Sequence, residues 1–311
     1  MFKKITFLFL IISPILSSQI ISEQLIKRHI STLSSDLMEG RKAGTKGIEK
    51  AAQYIEKEFE RIGLKNFGGL KTYRQNFEQR GLSLYNVIGY LEGKSKKEEY
   101  IVISAHYDHL GAKQGEEGDL IFNGANDNAS GVSAVLALAE FFSKKNNNER
   151  SILFIAFTAE EMGLIGSNYF GRNIDPEKII AGINIEMIGK ESPFGAKTAW
   201  LTGYNRSDFG EIIKKNLTGS EYTVYPDPYT RYNLFFRSDN ASLARLGVPA
   251  HTFSTSPMDK DLDYHKVSDE IETLDPYTIS ETIKAIAAGT KSIIDGKDTP
   301  SRVIIVKKQI L

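Results

Sequence analysis

Residues 99–111 read EYIVISAHYDHLG. From Tyr100 to Ser104 the run is almost continuously apolar, as in a strand covered on both faces rather than one washed by water on alternate side chains. It ends on His106, Tyr107, Asp108 and a glycine, so polar chemistry begins where the strand stops. The same grammar recurs outward along the chain. Residues 129–142 have the spacing of a helix, 152–157 of a second buried strand, and 179–189 (IIAGINIEMIG) of a third. Helices are expected after Glu161, around 208–217, near 239–247 and across 279–294, with a strand in 248–254. Upstream, 22–40 has helical spacing, 48–64 is amphipathic and stops at Gly63, and 83–93 alternates like a strand. Strand–helix alternation of this kind implies an α/β chain, a three-layer α/β/α sandwich around a mixed, mainly parallel sheet.

The composition suits such a core, with 41% hydrophobic and 25% charged residues. Basic and acidic residues number 39 each, so no electrostatic argument favours nucleic acid or a membrane surface. The N-terminus, MFKKITFLFLIISPILSSQ, has two lysines, an apolar stretch to about Leu16, then small residues. That is the pattern of a secretory signal peptide over 1–19, and Pro14 cuts the run short of the ~20 residues a membrane span needs. The protein is therefore expected to be exported, periplasmic or secreted, without a stable membrane anchor. One catalytic domain is expected over 20–295, and the tail 296–311 reads as an added edge strand or a loose end. With no cysteine, disulfides and thiol chemistry are excluded, and any metal must be held by His, Asp and Glu.

Sites on open α/β sheets form at the carboxyl ends of the strands. Here those ends deliver SAHYDHLG, NGANDNASG, TAEEMG and NIEMIG, and a later loop adds LDYHKVSDE. Taken singly, each residue has an ordinary reading. Asp127 caps a helix, His106 and Asp108 are loop polar groups, and Glu186 or His265 is a surface charge. Five such loops at one edge are the inventory of a zinc site built without sulfur. A cation also compensates acids that burial would otherwise penalise. His-x-Asp can supply a ligand and the group that fixes its tautomer. His109 competes with His106 but lies farther past the strand end. His29, in a helix, and His251, beside a buried strand, are read as structural.

These motifs, with GRKAGTKG (40–47), GLIGS after TAEEM, and RSDNASLARLGVPA (237–250), resemble the co-catalytic zinc aminopeptidase family of the exported bacterial leucine-aminopeptidase type. The likeness runs from about Leu33 to Lys291. It implies two zinc ions per chain, one held by His106 and Glu186, the other by Glu161 and His265, with Asp127 bridging. Glu160 would be the general base, Asp108 would stand behind His106, and Asp239 would belong to an outer hydrogen-bond network. The resemblance also implies a cis peptide at Asp127–Asn128. Two positions depart from the family: Glu186 where aspartate is usual, which opens the possibility of a single filled metal position, and Asn240 where histidine is common.

The activity so implied is hydrolysis of N-terminal residues from peptide or dipeptide substrates, by water that the metals acidify and Glu160 deprotonates. A glutaminyl-peptide cyclotransferase, which needs one zinc, and a non-catalytic binding domain of the same fold are the alternatives. The aromatic stretch YPDPYTRYNLFF (225–236) either flanks the substrate pocket or fills the space beneath a long loop.

Overall fold

The computed structural model describes residues 21–303 apart from Gln114 and Glu116. The expected signal peptide and residues 304–311 lie outside the described residues. The strands are β1 (Lys65–Asn66), β2 (Arg74–Gln79), β3 (Leu82–Leu91), β4 (Lys96–His106), β5 (Gly111–Ala112), β6 (Ile121–Phe122), β7 (Arg150–Phe157), β8 (Ile179–Ile185), β9 (Thr198–Leu201), β10 (Thr223–Pro226) and β11 (Ala250–Ser254). Nine of them form one sheet in the order β1-β3-β7-β4-β8-β11-β9-β10, with β2 paired to β3, and β5 and β6 form a separate ribbon. The four central strands, β7, β4, β8 and β11, are mutually parallel, while β3 and β9 join them antiparallel. The sheet is therefore mixed and parallel at its centre.

Residues alternate between two cores, which is why the central strands read as unbroken apolar runs. Ile101, Ile103, Ala105, Ile152, Phe154 and Ala156 enter one cluster. Val102, Leu153, Ile155 and Phe157 enter the other. The first face is covered by α1 (Glu23–Leu33), α2 (Lys46–Ile62), α3 (Gly131–Lys145), α5 (Phe209–Leu217) and α7 (Pro276–Gly289). The second is covered by α4 (Ile165–Arg172) and α6 (Asn240–Ala244). Helix α2 buries Ile48, Ala51, Ala52, Ile55 and Phe59 at helical spacing and ends at Gly63, whose φ of 84° closes the last turn. Helix α3 is buried from Gly131 to Phe142, the strongest sign of a three-layer fold with a central helix under a second cover.

Some expectations shift. The last helix breaks at Thr290, whose hydroxyl bonds back to the Ile286 carbonyl, and resumes as α8 (Lys291–Ile294). The outer strands β1, β2 and β10, and β9 next to the edge, were not evident from periodicity. In β2 only Phe77 is buried, so its polar sequence carries little pattern. The described part of the tail neither adds a strand nor hangs loose. Arg302 donates to the Pro176 and Ile179 carbonyls, and Val303 is buried with its N–H on Gly247 O. Among the described residues no helix is long and apolar enough to cross a membrane.

Candidate metal centre

The parallel register sets His106 opposite Phe157 and Ser104 opposite Asn184, so β4, β7 and β8 end at one level. Chain leaving that level carries His106, then Glu160 and Glu161, then Glu186. The irregular turn Ala125–Ser130 ahead of α3 brings in Asp127, with the Asp127–Asn128 peptide cis, and the loop after β11 brings His265. Ala159, Met187 and His265 have φ of 53°, 52° and 56°. Left-handed backbone costs a residue with a Cβ about 1–2 kcal/mol, and such strain collects at functional sites. Here it falls in three of the five segments that deliver carboxylate or imidazole to the cleft.

Asp127 is the hub. Its Oδ1 lies 3.2 Å from His106 Nε2, and its Oδ2 lies 3.2 Å from His265 Nε2. Glu161 Oε1 is 3.3 Å from His265 Nε2 and 3.0 Å from His109 Nδ1. His106, Asp127 and Glu186 bring donor atoms within 4.8 Å of one another, and His109, Asp127 and Glu161 do the same. These residues fit divalent ions. Four donors around zinc at about 2.0–2.2 Å stand roughly 3.3–3.5 Å apart, near the spacings seen. His106 Nε2 is also buried and has no hydrogen-bond partner among the described residues, although Asp127 is beside it. The structure thus brings together every residue expected to ligate metal.

The electrostatics favour a cation. Burial pushes Glu186 up to about 7, with Asp127 adding to and His106 opposing the effect. Burial also drives Glu160 well above the ordinary carboxylate range, helped by Glu186 and Asp239. Burial would raise Asp127 too, but His106, His265 and His109 around it hold it well below that range. His265 is raised to about 10, Asp127 and Glu161 outweighing burial. Asp127 and Glu160 likewise raise His106 against burial, so both imidazoles are drawn toward binding protons. Bound cations would release those protons and leave neutral ligands.

Behind the donors stands a braced frame. Asp108 differs from expectation in which atom serves His106. Its backbone oxygen is 3.1 Å from His106 Nδ1, while its carboxylate is 3.9 Å away. That carboxylate instead accepts the backbone N–H groups of Glu160 at 3.0 Å and Glu161 at 3.3 Å, clamping the turn that holds both acids. The Ser238 hydroxyl donates to Glu186 Oε2, and Asn184 donates to Ser238 Oγ at 2.6 Å. Asp239 is buried near His106 and Glu186, its carboxylate oxygens have no hydrogen-bond partner among the described residues, and burial lifts it to about 7. Asn240 ties Phe235 O to Ala250 O and accepts the Thr252 hydroxyl, a role inside the frame. His29 and His251 lie outside the cluster, bonded to Tyr54 and to Ser207 with Thr202.

Three contributors had no distinctive signal. His109 differs from any loop histidine only in following His106 by three residues. Asp269 sits four past His265 and accepts the N–H groups of Asn126 and Asp127. Arg41, in GRKAGTKG, is buried and donates to the carbonyls of Leu33, Tyr107, Asn123 and Gly124. Beside Glu186 a small pocket is lined by Met187, Trp200, Leu234, Arg237, Met258 and Tyr264. The aromatic stretch divides between the pocket and the packing beneath its own loop. Leu234 lines this pocket, while Tyr229 meets Trp200 edge-on in a small buried cluster.

Residues 86–290 match the model of Peptidase family M28. The chain belongs to this family. All donors from His106 to His265 lie in the matched segment. Among M28 and related proteins, aminopeptidase YwaD of Bacillus subtilis is 26% identical over 243 residues, 72% of this chain and 47% of that protein. Leupeptin-inactivating enzyme 1 of Streptomyces exfoliatus is 29% identical over 175 residues, 54% of this chain and 36% of that one. The chain thus spans half or less of the length of these relatives. In fold it resembles BSAP, a zinc aminopeptidase from Bacillus subtilis, with a TM-score of 0.72 at 15% identity, covering 93% of this chain and 99% of that one. Porphyromonas gingivalis glutaminyl cyclase aligns with a TM-score of 0.68 at 16% identity, covering 88% and 99%.

Proposed function

We propose that this M28 chain is an exported zinc aminopeptidase that hydrolyses N-terminal residues from peptides, with Glu160 as general base. The observation that carries the reading is Asp127, shared between two donor groups while Glu160 faces the same cleft and joins neither. His106, Asp127 and Glu186 would hold one zinc, and Asp127, Glu161 and His265 the other. Bound zinc would polarise the scissile carbonyl and acidify the attacking water.

The chain's own residues do the rest. Glu160 makes no side-chain hydrogen bond among the described residues, so its oxygens are free to accept the proton of the water and return it to the leaving amine. Asp108 fixes the Glu160 backbone, which sets the base at a constant distance from the donors. The pocket walled by Trp200, Leu234 and Met258 would take an apolar N-terminal side chain and keep bulk water away from the reacting bond. Export through removal of residues 1–19 rests on the signal-like sequence, and the mass of the mature protein tests it.

A panel of aminoacyl-nitroanilides and N-terminal glutaminyl peptides, assayed before and after chelation with metal content measured in parallel, tests the proposal. Release of nitroaniline that chelation abolishes and zinc restores is the expected result. Cyclisation of glutaminyl peptides without hydrolysis would establish the cyclotransferase instead. Zinc binding with neither activity would make this a binding domain.

A further inference from the structure

We propose that His109 is a fourth protein ligand at the Asp127–Glu161–His265 metal position, so that this position is closed while the His106–Asp127–Glu186 position stays open. The inference refines the metal assignment proposed above. Asp127 Oδ2 and Glu161 Oε1 are the two oxygens that flank His265, at 3.2 and 3.3 Å. His109 Nδ1 addresses the same two atoms, at 3.9 and 3.0 Å. Their mean falls at the edge length of roughly 3.3–3.5 Å expected around a four-coordinate zinc. The two imidazole rings stand 5.7 Å apart between centroids, crossed at 71°. Two imidazoles on one ion at near-tetrahedral angles have centroids about 5–6 Å apart, given a Zn–N distance of about 2.1 Å.

The placement of His109 is built. Its side chain is wholly buried, and its backbone N–H is held by Arg41 O at 3.2 Å. Gly124, at φ +54°, lies against the ring, where a Cβ would stand 2.6 Å from Cδ2. The missing Cβ of Gly124 lets the ring sit against this turn, and Nδ1 is the nitrogen turned toward the acids. A hydrogen bond to Glu161 alone would require only the 3.0 Å contact. The approach to Asp127 as well, beside His265, is what a shared ion requires.

Four protein ligands make a closed site of the kind that holds zinc tightly, whereas three leave a position open. The two metals should then differ in affinity, and the tighter one should depend on His109. Zinc titration against a chromophoric chelator reads this directly. The wild type should bind one tight and one weaker equivalent. His109→Ala should weaken the tight equivalent tenfold or more, and Glu186→Ala should weaken only the other. Cobalt(II) in the tight position should show the intense visible absorption of a four-coordinate ion, lost in His109→Ala. X-ray absorption of wild-type protein loaded with one zinc should count two imidazoles, which keeps the test available if the variant does not fold. An unchanged tight equivalent in folded His109→Ala, or one imidazole in the wild type, overturns the proposal. Unequal binding as described, without turnover of any substrate, would overturn the peptidase reading and leave this ligand assignment standing.

Discussion

Asp269 holds Asp127 through the main chain: its Oδ2 accepts the Asp127 N–H at 3.0 Å, while Oδ1 accepts that of Asn126 at 2.8 Å. The hub of the cluster is thus positioned by a carboxylate that touches none of the other donors. In Asp269→Asn one acceptor becomes an NH2 group facing an N–H, and a buried donor loses its partner. The expected cost is about 1–3 kcal/mol of stability. Affinity at both metal positions should fall roughly 10–100-fold, as when a partner behind a ligand is removed. Urea unfolding and chelator competition check the two effects. Equal affinities in variant and wild type would show that the turn holds Asp127 unaided.

Arg41 joins three segments of chain. Its guanidinium reaches Tyr107 O at 2.9 Å, Leu33 O and Asn123 O at 2.6 Å, and Gly124 O at 2.9 Å. One planar fork therefore braces the end of β4 and the turn of Asp127 together. Lysine keeps the charge but gathers its donors on one atom and cannot span these carbonyls. Arg41→Lys should cost about 2–4 kcal/mol, several buried acceptors being left unpaired. A melting temperature within a degree of wild type would contradict this.

Glu186 and Ser238 explain how a longer acid is accommodated. The Ser238 hydroxyl, itself fixed by Asn184, donates to Glu186 Oε2 and holds the extended side chain in one conformation. Ser238→Ala should weaken one metal equivalent, roughly 10–100-fold, and spare the other. Glu186→Asp draws the carboxylate back by about 1.5 Å, one C–C bond, and should weaken the same equivalent at least as far. The aspartate no longer reaches Ser238, so adding Ser238→Ala should then change little. Additive losses would show that the two residues act independently.

Glu160 and Glu161 face different partners despite their adjacency. Glu161 meets His109 and His265, while Glu160 faces the cleft beside Glu186 and Asp239. Glu160→Gln should retain both metal equivalents and KM within a few-fold while lowering kcat by 10²–10⁴, the range for loss of a general base. Glu161→Ala should lose a metal equivalent instead. Turnover near wild type in Glu160→Gln would remove it from the mechanism.

The central sheet was legible because burial on both faces leaves an unmistakable apolar run, as in Ile101–Ala105 and Ile152–Phe157. His106, Glu160, Glu161 and Glu186 were legible because each follows such a run, whereas Asp127 and His265 were legible only as ligand-type residues in polar loops. Sequence spacing carries no information on which loop folds back, and so Asp269 and Arg41 stayed hidden although they position what was visible. His109 reads in the sequence as a competitor of His106 that lies farther past the strand end. The turn after His106 reverses so tightly that a residue three positions on returns to the cluster, supported by Gly124. Asp108 shows the same limit at atomic scale: its backbone serves His106 and its carboxylate serves another strand's turn.

His251 supplies a pH dependence separate from the metal centre. Its Nδ1 lies 2.9 Å from Thr202 O, which can only accept, so Nδ1 carries the proton and Nε2 accepts the Ser207 hydroxyl at 2.8 Å. The ring stacks on Phe209 and is neutral in the fold. Burial pushes its pKa down to about 4, with Arg206 adding to the effect and Thr202 opposing it. In the unfolded chain the value is about 6.5, so the unfolded state takes up the proton first as pH falls. Stability from this group is complete above pH 6.5 and declines until about pH 4, with about 2 kcal/mol gone at pH 5. His29, lowered to about 3 chiefly by burial, acts in the same direction. Urea unfolding of metal-free wild type and His251→Gln near pH 7.5 and pH 5 isolates the contribution. The variant is less stable at the higher pH, where the neutral ring makes both hydrogen bonds, but it should lose about 2 kcal/mol less than wild type on acidification. Parallel losses in the two proteins would place the acid sensitivity elsewhere, with His29 as the next residue to replace.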